Sequence, residues 1–269
     1  MPFLAWADGL GEPSAARRPH WTWRALWAEV ARLVRQASDV VTVRPIGASV
    51  EGTPLWSVTV EHPRALRPPV LVVAGLHALE HVGPIAAVRL LQRAAAGQGP
   101  WGRRRLVVVP VVNPDGWCAV EAHLAAGRAR WRRANARGVD LNRNMPASNW
   151  QGTHPAGYYP GPRAGSEPET RALLDLLERE RPTRVISIHS PYRTVNYDGP
   201  ARALAERMAA RNGYGTSPDL GYPTPGSFGS YWAIDRGHEV ITLELPEIGF
   251  HDAWAQNRDA LLVALDLLD

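Results

Sequence analysis

Four stretches of the chain are apolar almost without a break: Val70 to Ala74, Leu106 to Val112, Arg184 to Ile188 and Val240 to Leu245. A strand with one wet face would alternate, so continuous runs predict strands covered by helices on both faces. Helical segments are expected at Gly83 to Ala96, Glu167 to Arg181, Ala201 to Asn212 and His251 to Leu268. Ser166 with Glu169 three residues on is a capping-box pattern and predicts a helix start there. Trp21 to Gln36 places Leu26, Val30, Leu33 and Val34 on one helical face. Val40 to Val43 and Leu55 to Glu61 read as strands joined through the turn-rich Gly47 to Gly52. The pattern predicts a single α/β domain over residues 1–269, a mixed, mostly parallel sheet with helices on both faces. Residues 1–38 form a helical segment packed on it. Ligands of such sheets bind beyond the carboxyl ends of the strands.

Chemistry-bearing residues gather at those ends. His77 and Glu80 follow the first long run, His189 follows the third, and Glu244 lies near the end of the fourth. Two imidazoles and one carboxylate are the ligand set that leaves a fourth zinc position open, as catalytic rather than structural sites do. Glu244, set in an apolar strand, has a raised tendency to hold a proton, which suits a general base that must return it to a leaving amine.

Farther along come Asn113-Pro114-Asp115-Gly116, Asp140-Leu141-Asn142-Arg143-Asn144 and Thr242-Leu243-Glu244-Leu245-Pro246. With His77-x-x-Glu80 and His189, this order resembles the zinc metallocarboxypeptidases, and the five matches are in sequence. The resemblance runs from about residue 42 to about residue 250. Arg133-Ala134-Asn135, Gly138 to Asn144, Pro160-Gly161-Pro162, Gly165 to Thr170 and above all Gly221 to Ser230 are most similar to the murein peptide amidase branch. The resemblance implies one Zn2+ per chain held by His77, Glu80 and His189, with Glu244 as base. It implies Arg133 as the oxyanion-stabilising arginine, Arg132 being adjacent and the register open by one. Asn142 and Arg143 would grip the substrate carboxylate, a task suited to a planar guanidinium. Tyr222, in a loop 22 residues before Glu244, would cover the substrate.

The family's usual metal string is His-Gly-Asp-Glu, whereas this chain has His77-Ala78-Leu79-Glu80. Any hydrogen bond made by the missing Asp must be replaced or absent. The branch implies hydrolysis of the γ-D-glutamyl-meso-diaminopimelate bond of a murein tripeptide in cell-wall recycling. Two alternatives stay open: a general carboxypeptidase acting on peptide C-termini, and a zinc-bound peptide-binding protein without catalysis.

Composition narrows the partners. The formal charge is only +4 despite a pI of about 9.6, which fits an acidic peptide better than nucleic acid. The basic runs Arg103 to Arg105 and Arg128 to Arg133 have little interleaved aromatic character. No stretch approaches the roughly 20 apolar residues needed to cross a bilayer. The lone Cys118 and the absence of an export-like start lead to the expectation of a cytoplasmic protein.

Overall fold

The computed structural model describes residues 2–10, 22–63, 65, 67–97, 104–127, 133–246 and 250–267. In chain order these form α1 (Pro2–Gly9), α2 (Trp23–Gln36), β1 (Val41–Ala48), β2 (Pro54–Val60), β3 (Arg67–Ala74), α3 (Val82–Ala95), β4 (Arg104–Val109) and α4 (Pro114–Ala125). They continue with α5 (Pro168–Glu180), β5 (Arg184–His189), β6 (Thr194–Asp198), α6 (Arg202–Asn212), β7 (Gly215–Ser217), β8 (Glu239–Glu244) and α7 (Phe250–Ala264). The strands make one sheet in the order β1-β2-β4-β3-β5-β8-β6-β7. β3, β4, β5 and β8 run parallel at its centre, β1 and β2 are antiparallel on one side, and β6 lies antiparallel to β8 on the other.

The continuous apolar runs are explained by packing on both faces. On β3, Val70, Val72 and Ala74 enter one core with Trp27, Leu90 and Leu261, while Leu71 and Val73 enter a second with Leu173, Phe228 and Trp232. Alternation on one strand therefore feeds two layers, and β3 is apolar on both faces from Val70 to Ala74. The N-terminal segment packs on the first core: Phe3 and Trp6 meet Trp27 and Trp56 at 5.3 to 5.9 Å between ring centres.

Three expectations are corrected. The helix expected from a Ser166–Glu169 capping box starts with Glu167 as N-cap and Pro168 in its first turn, with no side-chain cap. Pro168 fixes a helical φ at that point; Ser166 instead donates to Glu167 Oε1 at 2.6 Å, and Glu169 accepts from Val50 N and Asn135 Nδ2. The turn expected at Gly47 to Gly52 is shorter, because β1 continues to Ala48 through an irregularity between Pro45 and Gly47. The second apolar run leaves the ladder after Val109, at Pro110, which has no amide hydrogen to donate.

Of the basic runs, Arg103 and Arg128 to Arg132 lie outside the described residues. Arg104 and Arg105 sit on β4 and are paired, Arg104 with Asp266 at 2.6 Å and Arg105 with Glu180. Asp266 also accepts from Arg184 at 2.9 Å, tying the chain beyond α7 to the start of β5. Partial burial opposes ionisation of Asp266, but Arg184 and Arg104 outweigh it and hold its carboxyl below the ordinary range. A carboxyl depressed in this way stabilises the fold above its unfolded-state pKa of about 3.9, and the contribution is lost as pH falls through the lower folded value. Asp266→Asn, which tolerates the positive φ found there, should cost about 1–3 kcal/mol at pH 7 and less near pH 3, measured by denaturant unfolding. An equal cost at both pH values would contradict the pairing.

Candidate active site

Three strand ends and two loops build the site. β3 ends at Ala74, and Gly75 turns the chain with φ of +63°; a side chain there would also press on Pro84 and Val111 at 3.2 Å. That turn delivers His77, and α3 begins beyond Glu80. The loop is pinned from outside. Ala78 N donates to Arg133 O, and a β-carbon on Gly116 would meet that of Ala78 at 2.7 Å. The Asn-Pro-Asp-Gly string is scaffold for this corner. Asn113 caps α4 by accepting from Gly116 N, while Asp115 accepts from Ser49, Glu51 and Thr53 at 2.6 to 3.0 Å and fastens the β1–β2 turn.

His189 and Glu244 are the last residues of β5 and β8 and stand opposite each other in the ladder. His77 Nδ1 lies 2.6 Å from Glu80 Oε1, His189 Nδ1 lies 2.9 Å from Glu80 Oε2, and the two Nδ1 atoms are 3.1 Å apart. All three side chains are buried, and their ligand atoms fall within 4.8 Å of one another. Among the described residues this is the cluster of His, Cys, Asp or Glu that could hold a metal ion. The outer ring nitrogens are engaged elsewhere: His77 Nε2 meets Asp140 Oδ1 at 3.3 Å, and His189 Nε2 meets Ser187 Oγ at 2.9 Å. A proton held at Nε2 leaves the Nδ1 lone pair facing the centre, as a metal ligand requires. The donor set therefore fits zinc.

Charge is arranged around this centre. Burial opposes ionisation of Glu80, but His77 and His189 outweigh it and bring its carboxyl down to about 2. Asp140, buried too, is held well below the usual carboxylate range by His77 and Arg133. Arg133 donates from Nε to Asp140 Oδ2 at 2.7 Å, so one aspartate orients both the imidazole and the guanidinium. Asp140 thereby gives His77 an anionic hydrogen-bond partner from 63 residues away. Glu244 behaves differently: burial, reinforced by the negative charge of Glu80, pushes its carboxyl up to about 7. Its Oε2 receives one long contact, Tyr192 N at 3.5 Å.

These groups open into one cavity of about 230 Å³, which also contains Asn142, Arg143 and Tyr222. Asn142 accepts from Phe228 N at 2.9 Å through Oδ1, and Arg143 donates to Asn142 O at 2.7 Å. The guanidinium carbon of Arg143 lies 5.3 Å from the Tyr158 ring centre and 6.0 Å from that of Tyr222, and Arg133 approaches the same Tyr158 at 5.0 Å. Tyr158 packs between the two arginines; it carried no motif and was not expected from sequence. Burial raises the Tyr222 phenol to about 12, so it faces the cavity as a neutral donor. Arg132, the other candidate for the oxyanion role, lies outside the described residues.

The zinc carboxypeptidase family model matches residues 27–247, spanning the whole of this constellation. The chain belongs to the zinc carboxypeptidase family. Murein peptide amidase A of Escherichia coli K12 is 36% identical over 219 residues, covering 77% of this chain and 82% of that protein. The crystal structure of the murein-tripeptide amidase from Escherichia coli O157 superposes with a TM-score of 0.66 at 34% identity, covering 84% of this chain and 91% of the other. Carboxypeptidase A of Helicoverpa armigera, at 21% identity, shares the fold with a TM-score of 0.78 over 99% of this chain and 78% of its own. Membership makes the chain a hydrolase of the metallopeptidase type in a zinc-dependent family. No helix among the described residues is long and apolar enough to cross a membrane.

Proposed function

We propose that this protein is a zinc-dependent amidase that hydrolyses the γ-D-glutamyl-meso-diaminopimelate bond of murein peptides, releasing diaminopimelate during cell-wall recycling in the cytoplasm. The observation that carries the reading is the single cavity in which the His77, Glu80 and His189 ligand atoms converge beside a protonation-prone Glu244 and two arginines. The 36% identity to murein peptide amidase A supports the choice of substrate.

One zinc ion per chain, held by His77, Glu80 and His189, would supply a Lewis acid that polarises the scissile carbonyl and makes water a stronger nucleophile. The chain's own residues do the rest. Asn142 and Arg143 bind the carboxylate next to the scissile amide and so fix which bond reaches Glu244. Glu244, raised to about 7, takes a proton from the attacking water and passes it to the departing nitrogen. Arg133, oriented by Asp140, offers its remaining N–H groups to the oxygen on which negative charge develops. Tyr222 and Tyr158 cover the arginines and exclude water, which strengthens those charged contacts. A purely binding protein would have no use for Glu244, whose burial opposes its charge.

Two results test this reading. Chelating the metal from purified protein should abolish cleavage of L-Ala-γ-D-Glu-meso-diaminopimelate, and adding back one equivalent of zinc should restore it. Unchanged turnover in the chelated protein would overturn it. Arg143→Lys keeps the charge but loses the paired N–H geometry, so KM should rise about 10-fold with a smaller change in kcat. Equal turnover of free-acid and C-terminally amidated substrates by the unmodified protein would count against this role for Arg143.

A further inference from the structure

Tyr158 lies in the loop between Arg143 and α5, a stretch with no helix or strand of its own. Gly157 before it takes a φ of +86°, which any side chain would strain, and Tyr158 N donates to Pro155 O at 3.2 Å. The next two residues tie this loop to the segment that carries Arg143. Tyr159 O accepts from Asp140 N at 2.8 Å, and Pro160 O accepts from Asn144 Nδ2 at 2.7 Å. Tyr158 is thus held on backbone fastened on either side of Arg143. Its ring centre stands 5.0 Å from the guanidinium carbon of Arg133 and 5.3 Å from that of Arg143.

The two guanidiniums differ in what holds them. Arg133 donates to Asp140 at 2.7 Å, which fixes one edge of its fork. Arg143 is buried, yet among the described residues it makes no ion pair; one N–H goes to Asn142 O, and the guanidinium lies against the rings of Tyr158 and Tyr222. A carboxylate partner would hold Arg143 more firmly, but it would occupy the donors and offset the charge that a substrate carboxylate needs. The face of an aromatic ring attracts a guanidinium through its quadrupole and takes none of its hydrogen bonds. The ring therefore seats the cation and leaves its other N–H groups for a ligand.

We propose that Tyr158 is a positioning residue whose single ring seats both the arginine that grips the substrate carboxylate and the arginine that faces the developing oxyanion. The proposal rests on the roles given to Arg143 and Arg133 above. The two guanidiniums carry like charge and repel each other in a cavity partly screened from water. A ring attractive to both offsets that repulsion and fixes their spacing. The spacing matters because the carboxylate held by Arg143 and the carbonyl that Arg133 serves belong to one substrate; a displacement of about 1 Å at a positioning group can cost about 100-fold in rate. Tyr222 meets Tyr158 at 6.3 Å between ring centres, so the covering ring rests on the same platform.

The test separates ring from hydroxyl in the zinc-loaded protein. Tyr158→Leu removes the ring and keeps apolar bulk, whereas Tyr158→Phe keeps the ring and removes the hydroxyl. Tyr158→Leu should raise KM for free-acid substrates by about 5- to 30-fold, the span of a guanidinium–ring attraction lost from a desolvated site, and should lower kcat through Arg133 as well. Tyr158→Phe should stay within about twofold of the parent in both. Tyr158→Met, equally without a ring, should match Tyr158→Leu and supplies the same comparison where that variant unfolds. Binding gives a readout independent of turnover. Calorimetric titration onto Glu244→Gln protein should show that Tyr158→Leu weakens a free-acid peptide by the same 5- to 30-fold or so and leaves its C-terminal amide unchanged, a contrast that general loosening of the loop would not produce. Parental KM and kcat in a folded ringless variant, an equal loss in Tyr158→Phe, or equal weakening of acid and amide would each overturn the proposal. The kinetics are run on L-Ala-γ-D-Glu-meso-diaminopimelate and on an all-L peptide. An intact tripeptide with a cleaved all-L peptide would count against the murein reading, while the all-L series still reports on Tyr158.

Discussion

Glu244→Gln should retain stoichiometric zinc and bind peptide with near-parental affinity, while hydrolysis falls by about 100- to 10,000-fold. The substitution is nearly isosteric, and the carboxylate it replaces makes one long contact, with Tyr192 N, so little structure depends on its charge. What disappears is a group whose pKa, raised to about 7 by burial and the neighbouring Glu80, suits both halves of a proton transfer near neutral pH. An ordinary exposed carboxylate would take the proton poorly and, having taken it, would be a needlessly strong acid. Steady-state kinetics with elemental analysis on the same preparation checks this. Near-parental turnover with full zinc would mean that the proton is handled elsewhere.

His189→Ala should lose zinc altogether at micromolar protein, and Asp140→Asn should weaken zinc about 10- to 100-fold without removing a ligand. The two effects have different origins. His189 contributes one of the converging Nδ1 atoms, and without it two ligands remain for a metal that needs three from the protein. Asp140 acts through His77, whose burial opposes charge while Glu80 and Asp140 favour it and raise its pKa overall. With an amide at 140, the His77 ring loses its anionic partner at Nε2 and Arg133 loses its 2.7 Å anchor, so catalysis should fall together with affinity. Competitive chelator titration separates the two variants, and thermal unfolding of the metal-free proteins shows whether either simply fails to fold. Stoichiometric zinc in a folded His189→Ala variant would remove that residue from the ligand set.

The parts of this molecule legible in its sequence are those encoded locally. Runs such as Val70 to Ala74 predict strands buried on both faces because each residue alternates between two apolar cores, and their ends point to His77, His189 and Glu244. Strand β6 and the edge strand β7 were not foreseen. Thr194-Val195-Asn196-Tyr197-Asp198 alternates polar and apolar residues over only five positions, with Asn196 and Asp198 lining the cavity, so it is not one of the continuous apolar runs that mark the central strands. Asp198 was hidden for the same reason, since only the pairing of β6 with β8 brings it into the site. Asp140 stood in plain view within the Asn-Arg string, but its hold on His77 joins segments 63 residues apart and its hold on Arg133 spans an irregular loop, and no spacing rule reports either. The capping-box pattern at Ser166 and Glu169 misled because Pro168 fixes the first turn, Glu167 and Asn144 engage the Ser166 hydroxyl, and Val50 N and Asn135 donate to Glu169. Asn113 to Gly116, recognisable as a family string, gave no hint that its work is to pin the corner that carries His77.

The central claim is most directly tested by mass spectrometry of the products formed when the zinc-loaded protein meets L-Ala-γ-D-Glu-meso-diaminopimelate and, separately, a panel of all-L peptides with free C-termini. The expected result is release of L-Ala-D-Glu and diaminopimelate from the first, with kcat/KM at least about 100-fold above any α-linked peptide in the panel. Intact tripeptide alongside efficient removal of C-terminal residues from the all-L peptides would contradict it and make the protein a carboxypeptidase of ordinary α-linked bonds.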